Sequence, residues 1–111
     1  MEIKQFDIWL ADLNPSQGTE PGKTRPVVII QTDLLNNEHP STVICPITSN
    51  VKNEADILRV HLTKKQLDVQ SDILVDQIRA IDNRRFLKKL SRLTNDQKEK
   101  FKNNIRIVLD L

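Results

Sequence analysis

An arginine and a threonine stand at matching ends of two β-branched runs, and together they could hold a phosphodiester. Arg25 precedes Pro-Val-Val-Ile-Ile, and Thr48 closes Thr-Val-Ile-Cys-Pro-Ile-Thr. Paired as an antiparallel hairpin, the runs have their midpoint between Asn36 and Asn37, inside the polar connection. The simplest register then sets Arg25 opposite Thr48 at one end of the sheet, and a slip of a residue or two leaves them close. Arginine is permanently charged and matches phosphate oxygens in a bidentate way. Thr48 and Ser49 offer hydroxyls that can donate to the same group. The long polar segment 14–24 hangs over that end and carries Glu20. A fixed cation, a hydroxyl and a carboxylate make a plausible phosphodiester site without a metal. The same residue types also have ordinary uses, an arginine as a surface charge and a threonine as a strand former.

The stretch GTEPGKT imitates a phosphate-binding P-loop, but its spacing is wrong. Only Thr19, Glu20 and Pro21 lie between Gly18 and Gly22, where the motif needs four residues and then a helix. Here the stretch runs instead into Arg-Pro and a β-branched run, a strand start. Other candidates read mainly as structure. His61 could act as a general acid, yet in LRVHL it shares the polar phase with Arg59, the pattern of a solvent-facing strand. His39 precedes a proline in a polar loop. Asp76, Arg79 and Asp82 form either an ion-pair set or part of a site. Trp9 reads as core. With only Phe6, Trp9, Phe86 and Phe101 as aromatics, a base-stacking platform has little support. Arg84, Arg85, Lys88, Lys89 and Arg92 read as a solvated basic face that can touch phosphates.

These residues need a scaffold. Residues 6–13 read as a first strand, ended by Asn14-Pro15-Ser16. Residues 26–31 form a second strand, apolar on both faces and therefore central. Residues 32–37 suggest a capped helical turn. Residues 42–48 form a third strand, with Pro46 marking a bulge or an edge. Residues 57–62 alternate as a fourth strand, 63–67 suggest a short helix, and 72–81 read as a fifth strand. Thr94 with Gln97 signals a helix start. Phe101, Ile105, Val108 and Leu109 recur at helical spacing, with Lys98, Lys100 and Lys102 largely opposite. Short strands followed by one helix argue for a mainly β fold with helical additions, a small β-barrel with an amphipathic C-terminal helix.

Composition sets the outer bounds. A chain of 111 residues suggests a single domain over 1–111. Apolar residues at 38% and charged residues at 29% are an ordinary balance. No apolar run approaches the roughly 20 residues that span a membrane, and MEIKQFDIWL has no signal-peptide pattern. Cys45 is the one cysteine, which suits an intracellular setting and makes no disulfide or zinc site. Of 17 Lys and Arg residues three lie in 1–50, leaving 14 beyond, and of 15 acidic residues six lie there, leaving nine. The basic excess of the second half could favour a polyanion.

"PGKTRPVVII", "CPITS" and "ILVDQIRAID", with the opening "DIWLADLNPSQGTE", resemble the signature stretches of the MazF/PemK toxin family, in the family's order. The resemblance covers nearly the whole chain. It implies an SH3-like barrel (PemK/CcdB-like), acting as a homodimer in a bacterial cytoplasm. It implies a ribosome-independent endoribonuclease, an mRNA interferase, that cuts single-stranded RNA at short sequences without a cofactor. Its partner would be an antitoxin that wraps a disordered acidic segment over the toxin. By position, the family's catalytic residues fall on Arg25 and Thr48, its loop glutamate on Glu20 and its fifth-strand acid on Asp76. Thr19, Ser49 and Gln77 complete the supporting or RNA-binding set. Leu74 stands where some members have an arginine, Thr19 where some have a histidine, and Lys23 where many have a glycine. The implied reaction uses the RNA 2′-OH as nucleophile and leaves a 2′,3′-cyclic phosphate and a 5′-OH, so DNA should not be cut. An arginine gives up its proton poorly, so stabilising phosphate charge is the easier task for Arg25. Glu20 could accept the proton, hold a base edge or orient Arg25. Two rival readings remain. One is a barrel toxin that binds DNA gyrase without cutting RNA, and the other is a non-catalytic RNA-binding module.

Overall fold

The computed structural model describes residues 2–14, 18–19 and 23–111. The strands are β1 (Asp7–Asp12), β2 (Thr24–Ile29), β3 (Ser41–Thr48), β4 (Arg59–Leu62), β5 (Ser71–Leu74), β6 (Arg79–Asp82) and β7 (Phe86–Arg92). Two helices complete the fold, α1 (Lys64–Leu67) and α2 (Asn95–Leu109). The seven strands form one curled antiparallel sheet in the order β4-β5-β3-β2-β1-β7, with β6 also beside β3. The mainly β expectation therefore holds, as a half-barrel closed by a C-terminal helix.

β3 organises the sheet. One flank pairs with β2 from Ile44 to Pro46. The other pairs with β6 over Ser41 to Ile44, then with β5 at Ile47 and Thr48. The Val43 carbonyl accepts from Ile30 N on the β2 side. Alternation then turns the Pro46 nitrogen to the opposite flank, where β3 changes partner. Pro46 thus faces the interruption between the β6 and β5 ladders, so its missing N–H falls where no ladder bond is made, and the bulge expected beside it lies on the partner segment rather than on β3.

The single strand expected at 72–81 is divided. From Ile44 to Ile47 β3 advances three residues, while its partner goes from Arg79 back to Ile73, six residues. The surplus bulges out at residues 75–78, with Gln77 N donating to the Leu74 carbonyl at 3.1 Å. Such an insertion lets a strand turn a sheet corner. The apolar run hides the break, because residues on both sides of it face a core.

β7 has no counterpart among the expected strands. Its lysines mask the alternation, and two irregularities in its pairing with β1 break the period further. Lysines on an outermost strand discourage edge-to-edge pairing. α2 starts as its sequence predicts, with Thr94 accepting from Gln97 N and Gln97 reaching back to Thr94 N. Phe101 is fully buried and meets Phe6 edge-on at 6.3 Å. Leu109, expected on the apolar face, is 50% exposed.

Two cores lie on the two sides of the sheet. Ile8, Val28, Cys45, Ile47, Ile73 and Phe101 belong to the first. Trp9, Val27, Ile29, Ile44, Ile81 and Phe86 belong to the second. Trp9 packs edge-on against Phe86 at 6.0 Å, a core residue as expected. Burial pushes the Cys45 thiol up to about 12, helped by the Asp76 charge.

Candidate active site

The mouth of the loop between β1 and β2 is tied at its base. Leu13 N donates to the Lys23 carbonyl at 2.9 Å, and Lys23 N to Asn14 Oδ1 at 2.6 Å. From β7's side, Arg85 donates to the Asp12 carbonyl at 3.1 Å and also to the Asn14 carbonyl. Lys23 has a φ of 65°. That is the left-handed region, where the family resemblance would place glycine and where a side chain is strained by about 1–2 kcal/mol. Gly18 also sits there, with a φ of 58°, and Thr19 beside it is exposed. Glu20 lies outside the described residues.

β2 pairs with β3 as Val27 with Pro46, Val28 with Cys45 and Ile29 with Ile44. This is the register expected from sequence. Continued beyond the ladder, it sets Arg25 against Thr48. Both residues line one cleft of about 300 Å³, with Thr24, Ser49, Val69 and Ser71 around them. Thr48 Oγ1 accepts from Asn50 N at 3.1 Å. That bond occupies a lone pair and leaves the hydroxyl proton available for a ligand. Asp76 and Gln77 sit in the β5–β6 bulge and do not line this cleft. β5 runs away from Thr48 after Asp72, and Asp76 lies beyond its end in the turn that leads to β6.

A second group of polar residues adjoins the first. Asp72 is fully buried. Its carboxylate accepts from Lys52 N at 2.9 Å, Arg59 at 3.1 Å and His61 Nδ1 at 2.5 Å. Arg59 also donates to the Asn50 carbonyl at 2.9 Å, so Asp72 and Arg59 together hold the turn just after Thr48. Asp72 stands opposite both Thr48 and His61 in the ladders. Arg25, Thr48, Asp72 and His61 therefore form a row across β2, β3, β5 and β4 on one face of the sheet. The polar phase of Arg59 and His61 was visible in sequence. Their partner was hidden, because it lies across a pairing that α1 interrupts.

The ion-pair set read from Asp76, Arg79 and Asp82 takes another form. Asp82 pairs with Arg84 at 2.9 Å and caps the turn that leads into β7. The Arg84 side-chain hydrogen bond, with the Arg84 backbone N–H, holds the Asp82 carboxyl down at about 2. Among the described residues, no three His, Cys, Asp or Glu side chains converge in a way that could hold a metal ion.

The sequence model of the PemK-like, MazF-like toxins of type II toxin–antitoxin systems matches residues 4–109. The chain belongs to this family. It is 39% identical to the endoribonuclease MazF of Staphylococcus saprophyticus, over 98% of this chain and 92% of that protein. Its fold matches MazF from Deinococcus radiodurans with a TM-score of 0.88 at 21% identity, covering 100% of this chain and 99% of the other. A MazE–MazF structure from the same organism matches at a TM-score of 0.82 and 21% identity, with 100% and 99% covered. No helix among the toxin's described residues is long and apolar enough to cross a membrane.

Proposed function

We propose that this toxin is an endoribonuclease that cleaves single-stranded RNA, messenger RNA included, by internal transesterification. The observation that carries this is the meeting of Arg25 and Thr48 in one cleft beside a tethered loop mouth. The 39% identity to an endoribonuclease supports the reaction class. The RNA 2′-oxygen forms a bond to phosphorus as its proton passes to a base. The bond from phosphorus to the 5′-oxygen breaks, and that oxygen takes up a proton. The products are a 2′,3′-cyclic phosphate and a 5′-OH. Arg25 stabilises the charge that builds on the phosphorane, and Thr48 donates to a non-bridging oxygen. Thr19, Ser49 and Gln77 contact the strand, as does Asp76 from the β5–β6 bulge. Glu20, near Arg25 in sequence, accepts the proton, holds a base edge or orients Arg25. The toxin acts in a bacterial cytoplasm as a homodimer and is neutralised by an antitoxin with an acidic disordered segment. The MazE–MazF structures among its fold relatives support that partnership.

The test is cleavage of a long single-stranded RNA in EDTA, with mapped ends. Wild type should cut at a short motif and leave 5′-OH ends. Arg25→Ala and Thr48→Ala should each lose on the order of 10²-fold or more in rate. Absence of cleavage by folded wild type would replace this reading with that of a binding toxin, and DNA gyrase inhibition would then be assayed.

A further inference from the structure

We propose that the cleft beside His61 is a subsite for a nucleotide flanking the cleaved bond. This inference rests on the endoribonuclease reading of the Arg25–Thr48 cleft. The cleft beside His61 measures about 600 Å³, twice the volume beside Arg25, and falls in the range of small-ligand sites. Val51 and the buried Leu62 give it apolar walls, which suit the face of a base. Lys64 and Lys65 line it with exposed cations suited to a phosphate.

His61 gives the cleft a fixed polar group. The Asp72 carboxylate can only accept, so the 2.5 Å contact assigns the hydrogen to His61 Nδ1. Nε2 is then directed away from Asp72 with its position set. A buried carboxylate holding a half-exposed imidazole on a cleft wall is a prepared recognition group.

Continuity favours RNA as the occupant over a separate ligand. Ser71 lines both this cleft and the one that holds Arg25 and Thr48. His61 is two strands from Thr48 in the same row, about 10 Å at the usual strand spacing. A strand whose phosphate lies at Thr48 would reach His61 with a neighbouring nucleotide.

The test uses an RNA library randomised on both sides of the wild-type cut, read by sequencing and by kinetics on one chosen substrate. The variants are His61→Gln and the double variant Lys64→Ala/Lys65→Ala, with Arg25→Ala as the inactive reference. Lys64 and Lys65 are exposed, so the double variant should melt at the wild-type temperature. Both cleft variants should cut the same bond with kcat retained and KM raised about fivefold or more. Both should relax the base preference at one flanking position. Unchanged KM and unchanged preference in both would overturn the subsite and leave the ribonuclease standing. Weakened antitoxin binding with normal RNA kinetics would also overturn it, assigning the cleft to the protein partner. Wild type that cuts no RNA would bring down both readings together.

Discussion

Asp72 has lost all contact with solvent and is held by three donors, Lys52 N from the turn after β3 and Arg59 and His61 from β4. Removing one member of a buried pair leaves the other uncompensated. Asp72→Ala should therefore lower stability by about 3 kcal/mol, read as a melting transition on the order of 10 °C or more lower. It should also free the turn at Asn50, so RNA cleavage should fall further than the stability loss alone explains. Cys45 makes the opposite case. Its thiol is buried and pushed up to about 12 from 9.0. A raised value means that the folded state keeps a proton the unfolded state gives up. The thiol's contribution is thus complete below pH 9 and fades between 9 and 12. At neutral pH a thiol reagent should label the unfolded chain and leave the native protein untouched, as intact mass would show. Arg25 and Thr48 were legible in the sequence because their runs are symmetric about a connection whose midpoint fixes the register. Asp72 was not, since its meaning depends on a ladder that α1 separates from it.

At the scale of elements, Arg85 links β7's start to the far end of β1 through two carbonyls. These bonds close the loop mouth from outside the β1–β2 hairpin. Arg85→Ala should lower the melting point modestly, since the half-buried guanidinium holds two backbone carbonyls, and should lower kcat/KM for RNA by about tenfold as the loop loses its anchor. Equal activity in the variant would mean that Asn14 and Lys23 suffice. The capped start of α2 could be read directly, because capping chemistry is local. β1, β2 and β3 were readable as strands from their β-rich content and β4 from its alternation, with ends shifted by up to two residues. β7 could not be read, because its lysines and its irregular pairing erase the alternation that marks a half-buried strand. The break between β5 and β6 was invisible for the opposite reason, a run apolar enough to continue through it.

For the molecule as a whole, one helix decides whether the curled sheet has a lid. Phe101 is fully buried from α2 and meets Phe6 across the first core. Phe101→Ala should destabilise the protein by about 3–5 kcal/mol. Chemical denaturation monitored by far-UV circular dichroism would register this. A loss below about 1 kcal/mol would show that α2 only rests on the sheet. The ladder between β1 and β7 has a temporal consequence. Asp7 pairs with Arg92, joining the first strand to the last. On the ribosome, β1 waits unpartnered on that side while most of the chain is made, because so distant a contact cannot form earlier. Arg85, which secures the loop mouth, arrives in the same late stretch. A nascent toxin therefore completes its site only after residues 85–92 have emerged and β7 has joined β1, long after Arg25 and Thr48 have been made.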